Sequence, residues 1–421
     1  MTERYRLAVL NSHPIQYFAP LYRYLAQFPE LEVTVYYCSR QGLDGYADDG
    51  FKARVKWDVP LTEGYEHHFL PNLRGDHRVG GYFSLVNPSI VRELARGRYD
   101  GLLVHGHSYV TNLMAIAAAK LLRIPVFMRC ETHLHLQRSA HKQFLREVIL
   151  RPFYRLFDAC LPIGAWNAAF YRHFGVPEER LFQVPYTVDN DFFRNAASRV
   201  HSEVPELRRL AGIPVNHGVV LYASKLTSRK HPMDLILAVE RLQAQGMGVS
   251  LLVVGSGEEE PRLREYVASH NTPDVHFVGF KNQTELPQYY AMSDVFVLPS
   301  ENEPWGLVVN EAMASGLAVV TTDQVGAAPD LVANGENGFV VRAEDVDGLA
   351  RALAATLSEP AVLQSMKRRS EQIIGTWSYE QSRTGLLDAL RHSSRNRGRQ
   401  ASTNSQISNA QAKLGDTIGQ K

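Results

Sequence analysis

The sequence feature that most constrains the fold is an alternation of short apolar runs with helical patterns along almost the whole chain. Several of these runs are continuous, as in Gly218–Ala223 and Val249–Val254, whereas a strand with one solvated face alternates apolar and polar residues. Continuous runs are typical of parallel strands covered on both faces, and strands that alternate with helices indicate βαβ units. We therefore predict an α/β protein built from doubly wound parallel sheets.

The predicted strands form two groups, and a polar segment at residues 194–214 separates them. The chain of 421 residues is long enough for two domains. We predict domains at residues 1–198 and 199–376, a helix at 377–392 that crosses back to the first domain, and a disordered tail at 393–421 with almost no apolar content. The strands are expected at Arg6–Asn11, Glu32–Tyr37, Gly101–His105, Pro125–Arg129, Ala159–Ile163, Leu181–Val184, Gly218–Ala223, Val249–Val254, Val275–Val278, Val295–Leu298, Ala318–Thr321 and Gly338–Val341.

Composition excludes several classes of protein. The 45 basic and 44 acidic residues nearly cancel, which argues against a nucleic-acid partner. The cysteines, Cys38, Cys130 and Cys160, are far apart and suit a reducing cytosol better than a disulfide framework. The N-terminus lacks the apolar core of a signal peptide, and charged residues and a proline interrupt the longest apolar stretch, so we expect a cytoplasmic protein.

The segment from Ser300 to Gly316 carries two acids in an unusual position. It follows an apolar strand pattern, and we expect its helix to begin near Trp305 or Gly306 and to end at Gly316. Loops that open into a helix N-terminus at the end of a strand bind phosphates in α/β folds, whereas carboxylates accept hydrogen bonds from hydroxyls. Glu303 in the loop and Glu311 in the helix therefore indicate a ligand with both a diphosphate and hydroxyls, such as a nucleotide sugar. The alternative is a helix cap and an exposed helix acid.

A basic loop follows the predicted strand Gly218–Ala223. It contains Lys225, Arg229 and Lys230, and Lys225 and Lys230 could neutralise a departing diphosphate without a metal ion. The simpler alternative is a solvated basic turn, and only the position opposite the two acids favours a functional interpretation.

Two further motifs have simpler interpretations. The glycines of Gly255-Ser-Gly257 resemble a dinucleotide loop, but the third glycine is missing and three acids follow, so we expect a tight strand-to-helix turn. The Asp345-Val-Asp347 stretch resembles a metal-binding D-x-D motif, but it opens a predicted helix and is interpreted as an N-cap.

Together these motifs resemble the retaining family 4 glycosyltransferases with the GT-B fold. The resemblance covers about residues 5–391 and rests on the E-x7-E pattern from Glu303 to Glu311, with support from Val254–Gly257, Val275–Gly279 and Asn334–Gly338. It implies two Rossmann-like domains that face each other across a cleft. It also implies metal-independent transfer of a sugar from a nucleotide-diphosphate sugar, without a cofactor.

The resemblance implies roles for residues of the second half by position. These are donor-sugar binding by Glu303, ribose binding by Glu311, donor contacts from the backbone around Trp305, Gly306 and Leu307, diphosphate binding by Lys225 and Lys230, and a base-binding loop at Gly279 and Phe280. Lys225 stands where the family has arginine, which keeps the charge but loses the bidentate fork.

The first half departs from the family at several positions. His13 and Pro14 replace the family's Gly-Gly loop, and with Gln16 they form a candidate phosphate or acceptor loop. His13 either supplies a charge or hydrogen bond to the ligand or packs in a tight turn. His107 matches the family histidine near the donor sugar. His105 and His107 could also suggest a metal site, but no third ligand is apparent. Glu131 stands where many relatives have a histidine, which suggests a different acceptor or donor.

The segment Arg138–Leu156 is basic and apolar, and Pro152 is expected to divide it into two helices. It is either a surface helix or a peripheral membrane contact at the inner face of the membrane, as in relatives with lipid-linked acceptors.

The expected activity is that of a hexosyltransferase in polysaccharide biosynthesis, acting with retention of configuration on a glycan, a lipid-linked sugar or a small molecule. No side chain stands out as a nucleophile. The altered Gly-Gly loop leaves a non-catalytic nucleotide-sugar binder or partner subunit as the alternative, and a sugar-nucleotide epimerase as a third interpretation.

Overall fold

Two parallel six-stranded sheets dominate the computed structural model, which describes residues 3–75, 79–136 and 140–397. The elements of the first domain are β1 (Tyr5–Asn11), α1 (Ala19–Leu25), β2 (Leu31–Tyr37), β3 (Tyr46–Asp48), β4 (Ala53–Val55), β5 (Glu66–Phe69), α2 (Ser89–Gly97), β6 (Gly101–His105), α3 (Val110–Leu121), β7 (Val126–Arg129), α4 (Ala140–Tyr154), β8 (Ala159–Cys160) and α5 (Ala165–His173).

The second domain follows two connecting helices. The elements are α6 (Asn190–Arg199), α7 (Val204–Leu210), β9 (Gly218–Ala223), α8 (Pro232–Ala244), β10 (Val249–Val254), α9 (Glu260–His270), β11 (Val275–Gly279), α10 (Leu286–Ala291), β12 (Val295–Leu298), α11 (Leu307–Ala314), β13 (Ala318–Thr322), α12 (Ala328–Leu331), β14 (Gly338–Val341), α13 (Val346–Leu357) and α14 (Pro360–Gly375). A final helix, α15, covers residues 379–397.

Both sheets are doubly wound, and each has a point where the strand order reverses. The first has the order β5-β2-β1-β6-β7-β8 and the second β11-β10-β9-β12-β13-β14. The reversal therefore lies between β1 and β6 in the first domain and between β9 and β12 in the second. Loops at the carboxyl ends of these central strands form the usual ligand crevice of such sheets.

The continuous apolar runs are explained by burial on both faces. In β1, Leu7 and Val9 belong to one buried cluster, whereas Ala8 and Leu10 belong to another on the opposite face of the sheet. The first cluster also contains residues of β9, so the apolar core continues from one domain into the other. The predicted two-domain α/β fold is confirmed.

One predicted strand is wrong. Leu181–Val184 forms a single bridge, from Leu181 to Cys160, and β8 ends at Cys160 instead of Ile163. Phe182 N and Val184 N still donate to Cys160 O and Pro162 O at 3.1 and 3.0 Å. Pro162 has no N–H to donate in return, so the two-way bonding of a regular parallel ladder stops there.

Three strands lie outside the predicted set. β5 forms the edge of the first sheet beside β2, and β3 and β4 pair antiparallel in a separate hairpin. The chain from residue 44 to 58, which contains this hairpin, is called the cleft hairpin below because it reaches the second domain.

The segment predicted as a linker, residues 194–214, is largely helical, since α6 and α7 occupy most of it. At the other end of the second domain, α15 extends past the predicted helix end at 392 to residue 397. Most of the predicted tail, 398–421, lies outside the described residues. Helix α15 returns to the first domain, where Glu380 accepts a hydrogen bond from Tyr24 and Arg383 pairs with Glu30.

The expected break at Pro152 is also wrong, because α4 runs through this residue to Tyr154. Pro152 lies in the last turn, where only one intrahelical bond is lost. Residues 137–139 of this segment lie outside the described residues, and membrane contact here stays a prediction. Within the described ranges, no helix is both long enough and apolar enough to cross a bilayer.

Candidate functional site

The two strand-order reversals face each other across a cavity of about 440 Å³. Its walls come from the loop after β1, the cleft hairpin, the loop after β9, the turns after β10 and β11, and the helix α11. The lining residues are His13, Ile15, Gln16, Tyr17, Tyr46, Asp48, Phe51, Trp57, Ala223, Ser224, Lys225, Arg229, Lys230, Val254, Gly255, Phe280, Lys281, Gln283, Leu286, Val308 and Glu311. We call it the donor cavity, after the role that the sequence predicts for its residues.

Glu311 connects the two domains inside the donor cavity. Its Oε1 accepts a hydrogen bond of 2.8 Å from Tyr17 of the first domain, and its Oε2 accepts one of 2.7 Å from Tyr290 of the second. The residue is 1% exposed, and burial raises the pKa of its carboxyl to about 7 although both tyrosines oppose this shift. Near neutral pH the carboxyl therefore exchanges protons readily and can accept hydroxyl hydrogen bonds when ionised.

Glu303 forms an ion pair with two cations of the basic loop. Its Oε2 pairs with Lys230 and lies 3.1 Å from Arg229 Nη1. Burial lowers the pKa of Lys230, and the neighbouring carboxylate opposes this shift. Both contacts use Oε2, and Glu303 itself does not line the donor cavity. Lys230 is thus paired directly with Glu303 in the structure.

Lys225 reaches across the cleft to the cleft hairpin. Its Nζ lies 2.8 and 3.0 Å from the carboxylate oxygens of Asp48, and 4.7 Å from the ring centre of Phe51. Burial favours a higher pKa for Asp48, but the bonds from Lys225 and from two backbone N–H groups hold that pKa below its usual value. Asp48 therefore stays ionised at neutral pH.

The loop after β1 supplies neutral polar groups. Burial lowers the pKa of His13 to about 4, so the ring carries no charge at neutral pH. Its Nδ1 lies 2.9 Å from Ser12 Oγ. The neutral ring lines the donor cavity, and a hydrogen bond from His13 to a ligand stays a prediction. Gln16 is buried and also lines the donor cavity.

A second cavity of about 300 Å³ adjoins the first, since Ile15 lines both. Its polar wall contains His107, Arg129 and Glu131. Glu131 Oε1 accepts a hydrogen bond of 2.6 Å from Tyr186, and Arg129 donates to the backbone oxygen of Pro185 at 3.0 Å. The structure thus brings His107 and Glu131 together, on the first-domain side of the cleft.

One cluster in the described ranges could hold a metal ion, formed by His231, Glu301 and Glu344. Asp234 accepts from His231 Nδ1 at 3.1 Å, and this hydrogen bond raises the pKa of the imidazole. Protonated His231 can therefore compensate the surrounding acids. The D-x-D stretch is an N-cap as predicted, because Asp345 accepts from Gly348 N at 2.7 Å.

Comparisons with known proteins agree with this geometry. The family described as "Glycosyl transferases group 1" matches residues 203–373, and the "Glycosyl transferase 4-like domain" matches residues 15–187. Two glycosyltransferase family models thus match successive parts of the chain, one on each domain.

Two curated relatives illustrate how far the similarity extends. A glycogen synthase from Mycobacterium tuberculosis is 35% identical over 154 residues, which are 36% of this chain and 37% of that protein. A sulfoquinovosyl transferase from Arabidopsis thaliana is 28% identical over 306 residues, which are 70% of this chain and 56% of that protein. The aligned segments thus span about a third to just over half of the length of these two relatives.

Solved structures share the fold at low sequence identity. The Anabaena protein HepE in complex with UDP has a TM-score of 0.70 and 16% identity, over 92% of this chain and 99% of that one. Sucrose-phosphate synthase from Thermosynechococcus elongatus has a TM-score of 0.63 and 20% identity, over 95% of this chain and 100% of that one. These similarities show that the chain has the GT-B fold.

Several residues that the family resemblance assigned to the donor lie beside the cavities. Trp305, Gly306 and Leu307 line neither cavity, and the next residue, Val308, lines the first. The Trp305 indole is 3% exposed and donates to Asn310 Oδ1 at 2.9 Å. The indole is therefore part of the core.

Of the two residues predicted to form the base-binding loop, one lines the cavity and the other does not. Phe280 lines the donor cavity, whereas Gly279 does not. Gly279 has φ of +77°, and its carbonyl accepts from Gly255 N at 2.9 Å, so it shapes the loop.

Sequence reasoning missed the cleft hairpin and the two tyrosines on Glu311. The hairpin had a usable signal, because Asp49-Gly50 is a common turn pair and Asp48 accepts from Gly50 N and Phe51 N at 2.9 and 3.0 Å. Tyr17 and Tyr290 had no such signal, since aromatic residues in loops and helices are common.

Proposed function

We propose that this protein transfers a sugar from a nucleoside diphosphate sugar to a hydroxyl-bearing acceptor, with retention of anomeric configuration and without a metal ion. The observation that carries the proposal is the lining of the donor cavity. Lys225, Arg229 and Lys230 line it together with the buried acid Glu311. Cations suit a diphosphate and a carboxylate suits sugar hydroxyls, so one cavity offers both kinds of partner.

In the proposed reaction the bond from the anomeric carbon to the β-phosphate oxygen breaks. Negative charge grows on that oxygen, and the ammonium groups of Lys225 and Lys230 stabilise it electrostatically. The acceptor oxygen forms the new bond on the same face, and its proton passes to the departing diphosphate. This route needs no protein nucleophile and meets the diphosphate charge with protein cations.

Glu303 has two roles in this proposal. Its Oε2 holds Lys230 and Arg229 in the cavity wall, and its Oε1 accepts from a hydroxyl of the donor sugar. Glu311 binds the ribose once it is ionised. The second cavity, with His107 and Glu131, is where the acceptor enters, because it adjoins the donor cavity from the first domain.

The relatives guide the choice of substrates. Their names describe transfer of sulfoquinovose and synthesis of glycogen, and the structural neighbour HepE was crystallised with UDP. We therefore propose a nucleoside diphosphate sugar as donor and a sugar-containing or other polyhydroxyl molecule as acceptor.

The test is release of nucleoside diphosphate from a panel of donor sugars, with cell extract as the source of acceptors, with and without EDTA. Lys225→Met should slow turnover about a hundredfold. Lys56→Met is the matched control. This exposed lysine belongs to the cleft hairpin, which Lys225 contacts, and it does not line the cavity. NMR of the product should show the anomeric configuration of the donor.

Each outcome bears on one part of the proposal. Binding without turnover for every donor would favour a non-catalytic nucleotide-sugar binder. Loss of turnover in EDTA would contradict the metal-free step, and an inverted product would contradict retention. Equal turnover of wild type and Lys225→Met would remove Lys225 from the diphosphate site.

A further inference from the structure

Two groups of the first domain contact the donor-binding residues of the second domain. Tyr17 places a hydroxyl on Glu311 at 2.8 Å, and Asp48 places a carboxylate on Lys225 at 2.8 and 3.0 Å. Under the proposed function, Glu311 binds a ribose hydroxyl and Lys225 binds a diphosphate. Each contact thus offers the chemical group that the donor would offer: a hydroxyl to the acid and an anion to the lysine.

We propose that Tyr17 and Asp48 form a latch that imitates the donor and holds the cleft closed, so that donor binding exchanges these two contacts for the ribose and the diphosphate. The inference rests on the proposed function, because that function assigns the partners of Glu311 and Lys225. It adds two first-domain residues that set the affinity of the donor site.

The cleft hairpin is built to carry Asp48 across the cleft. Ser256 Oγ donates to Phe51 O at 2.7 Å, and Asn282 Nδ2 donates to Lys56 O at 2.6 Å. The Phe51 and Phe280 rings pack edge to face with centres 4.9 Å apart. The hairpin therefore docks on the turns after β10 and β11 along its length, which fixes the position of the carboxylate.

The close approach of the hairpin to Lys225 is specific. A Cβ added at Gly50 would lie 2.6 Å from Lys225 Cδ and 2.9 Å from its Nζ. The lysine side chain thus lies directly against the turn of the hairpin, and a diphosphate could not reach its Nζ in the same position without displacing Asp48.

The Tyr17 contact closes the other end of the cavity. Glu311 is 1% exposed, and a tyrosine hydroxyl occupies each of its oxygens. Tyr290 belongs to the same domain as Glu311 and would move with it, whereas Tyr17 belongs to the other domain. Opening of the cleft therefore frees Oε1 for a ribose hydroxyl and leaves Oε2 bonded.

Each latch contact competes with the donor group that replaces it, and it lowers the apparent affinity for that group by the fraction of molecules in which the contact is broken. Removing one latch contact should therefore tighten binding of whatever ligand replaces that contact. The Lys225 side chain is 38% exposed, so its ion pair with Asp48 is partly solvated. Removal of the Asp48 carboxylate should therefore tighten diphosphate binding about fivefold. Loss of the Tyr17 hydrogen bond to the buried acid should tighten ribose binding roughly tenfold.

The experiment measures the dissociation constants of UDP, GDP, ADP and the matching nucleosides by calorimetry at pH 8, for the full chain. Asp48→Asn should tighten the nucleoside diphosphate that binds and leave its nucleoside unchanged. Tyr17→Phe should tighten both. Asp44→Asn and Tyr82→Phe are matched controls on exposed residues that do not line the cavity, and they should change neither.

A background variant separates the latch from a general electrostatic effect. In Lys225→Met, adding Asp48→Asn should no longer tighten the diphosphate, because the partner of the carboxylate is gone. Two outcomes would contradict the latch and leave the proposed function standing. In the first, Asp48→Asn tightens binding equally with and without Lys225. In the second, both latch variants weaken binding while wild type binds and turns over donor. If neither wild type nor the doubly substituted latch variant binds any nucleotide, both are wrong.

Discussion

Lys230 and Glu303 form an ion pair in which both residues are only 8% exposed. Because removal of one partner leaves an unpaired buried charge, Glu303→Ala should destabilise the protein by roughly 3–5 kcal/mol. The double variant Glu303→Gln with Lys230→Met should lose less than Glu303→Ala alone, since neither charge is then left unpaired. Urea unfolding of the three proteins measures this.

Arg229 shares the same carboxylate, so Arg229→Met serves as the comparison. Its side chain is 43% exposed, and its loss should cost at most about 1 kcal/mol. Equal costs for Glu303→Ala and the double variant would mean that Lys230 finds another partner.

Burial of Glu311 should make stability depend on pH. Its carboxyl pKa is raised from 4.5 to about 7, so the folded protein keeps a proton that the unfolded chain loses. Stability from this group is therefore present below pH 4.5 and falls as pH rises from there to about 7, by about 3 kcal/mol in total. Glu311→Gln should remove this fall, because an amide does not ionise.

The measurement compares denaturant unfolding of wild type and Glu311→Gln at pH 5 and pH 8. The variant should gain stability relative to wild type between these values. Glu336→Gln is the control, because that acid pairs with Arg369 at the surface. A parallel pH dependence for wild type and Glu311→Gln would show that the buried carboxyl does not hold its proton.

The sequence predicted the sheets well, because a central strand that is buried on both faces appears in the sequence as a continuous apolar run. The order of strands then places the loops of Lys225 and Glu303 at the same edge of the second sheet. The spacing of the two acids also located the correct helix, α11. Local patterns and parallel topology are thus sufficient for this half of the site.

The partners of these residues could not be predicted in the same way. Asp48 and Lys225 are separated by 177 residues, and Tyr17 and Glu311 by 294. Contacts across a cleft depend on how two domains pack, which no periodicity within one segment encodes. That both acids bind one ligand stays a prediction, and in the structure each acid has its own side-chain partners.

The Trp305 indole should matter for stability and not for donor affinity. It donates to Asn310 Oδ1 at 2.9 Å and packs near Trp377, with ring centres 5.3 Å apart. Trp305→Phe leaves the buried Asn310 oxygen unpaired and should cost about 1–3 kcal/mol. Because Trp305 lines neither cavity, the dissociation constant of the donor should not change. Weaker donor binding by a folded Trp305→Phe would place the indole at the donor.

Gly326 supports the loop that carries Glu303. Its N–H donates to Glu303 O at 3.0 Å, and an added Cβ would lie 2.0 Å from Pro304 O. Gly326→Ala should therefore push the Glu303 loop away from Lys230, cost about 1–3 kcal/mol and lower turnover. Unfolding and turnover measurements should show no change for Gly81→Ala, where an added Cβ meets open space. Full turnover in Gly326→Ala would mean that the loop can shift without disturbing the site.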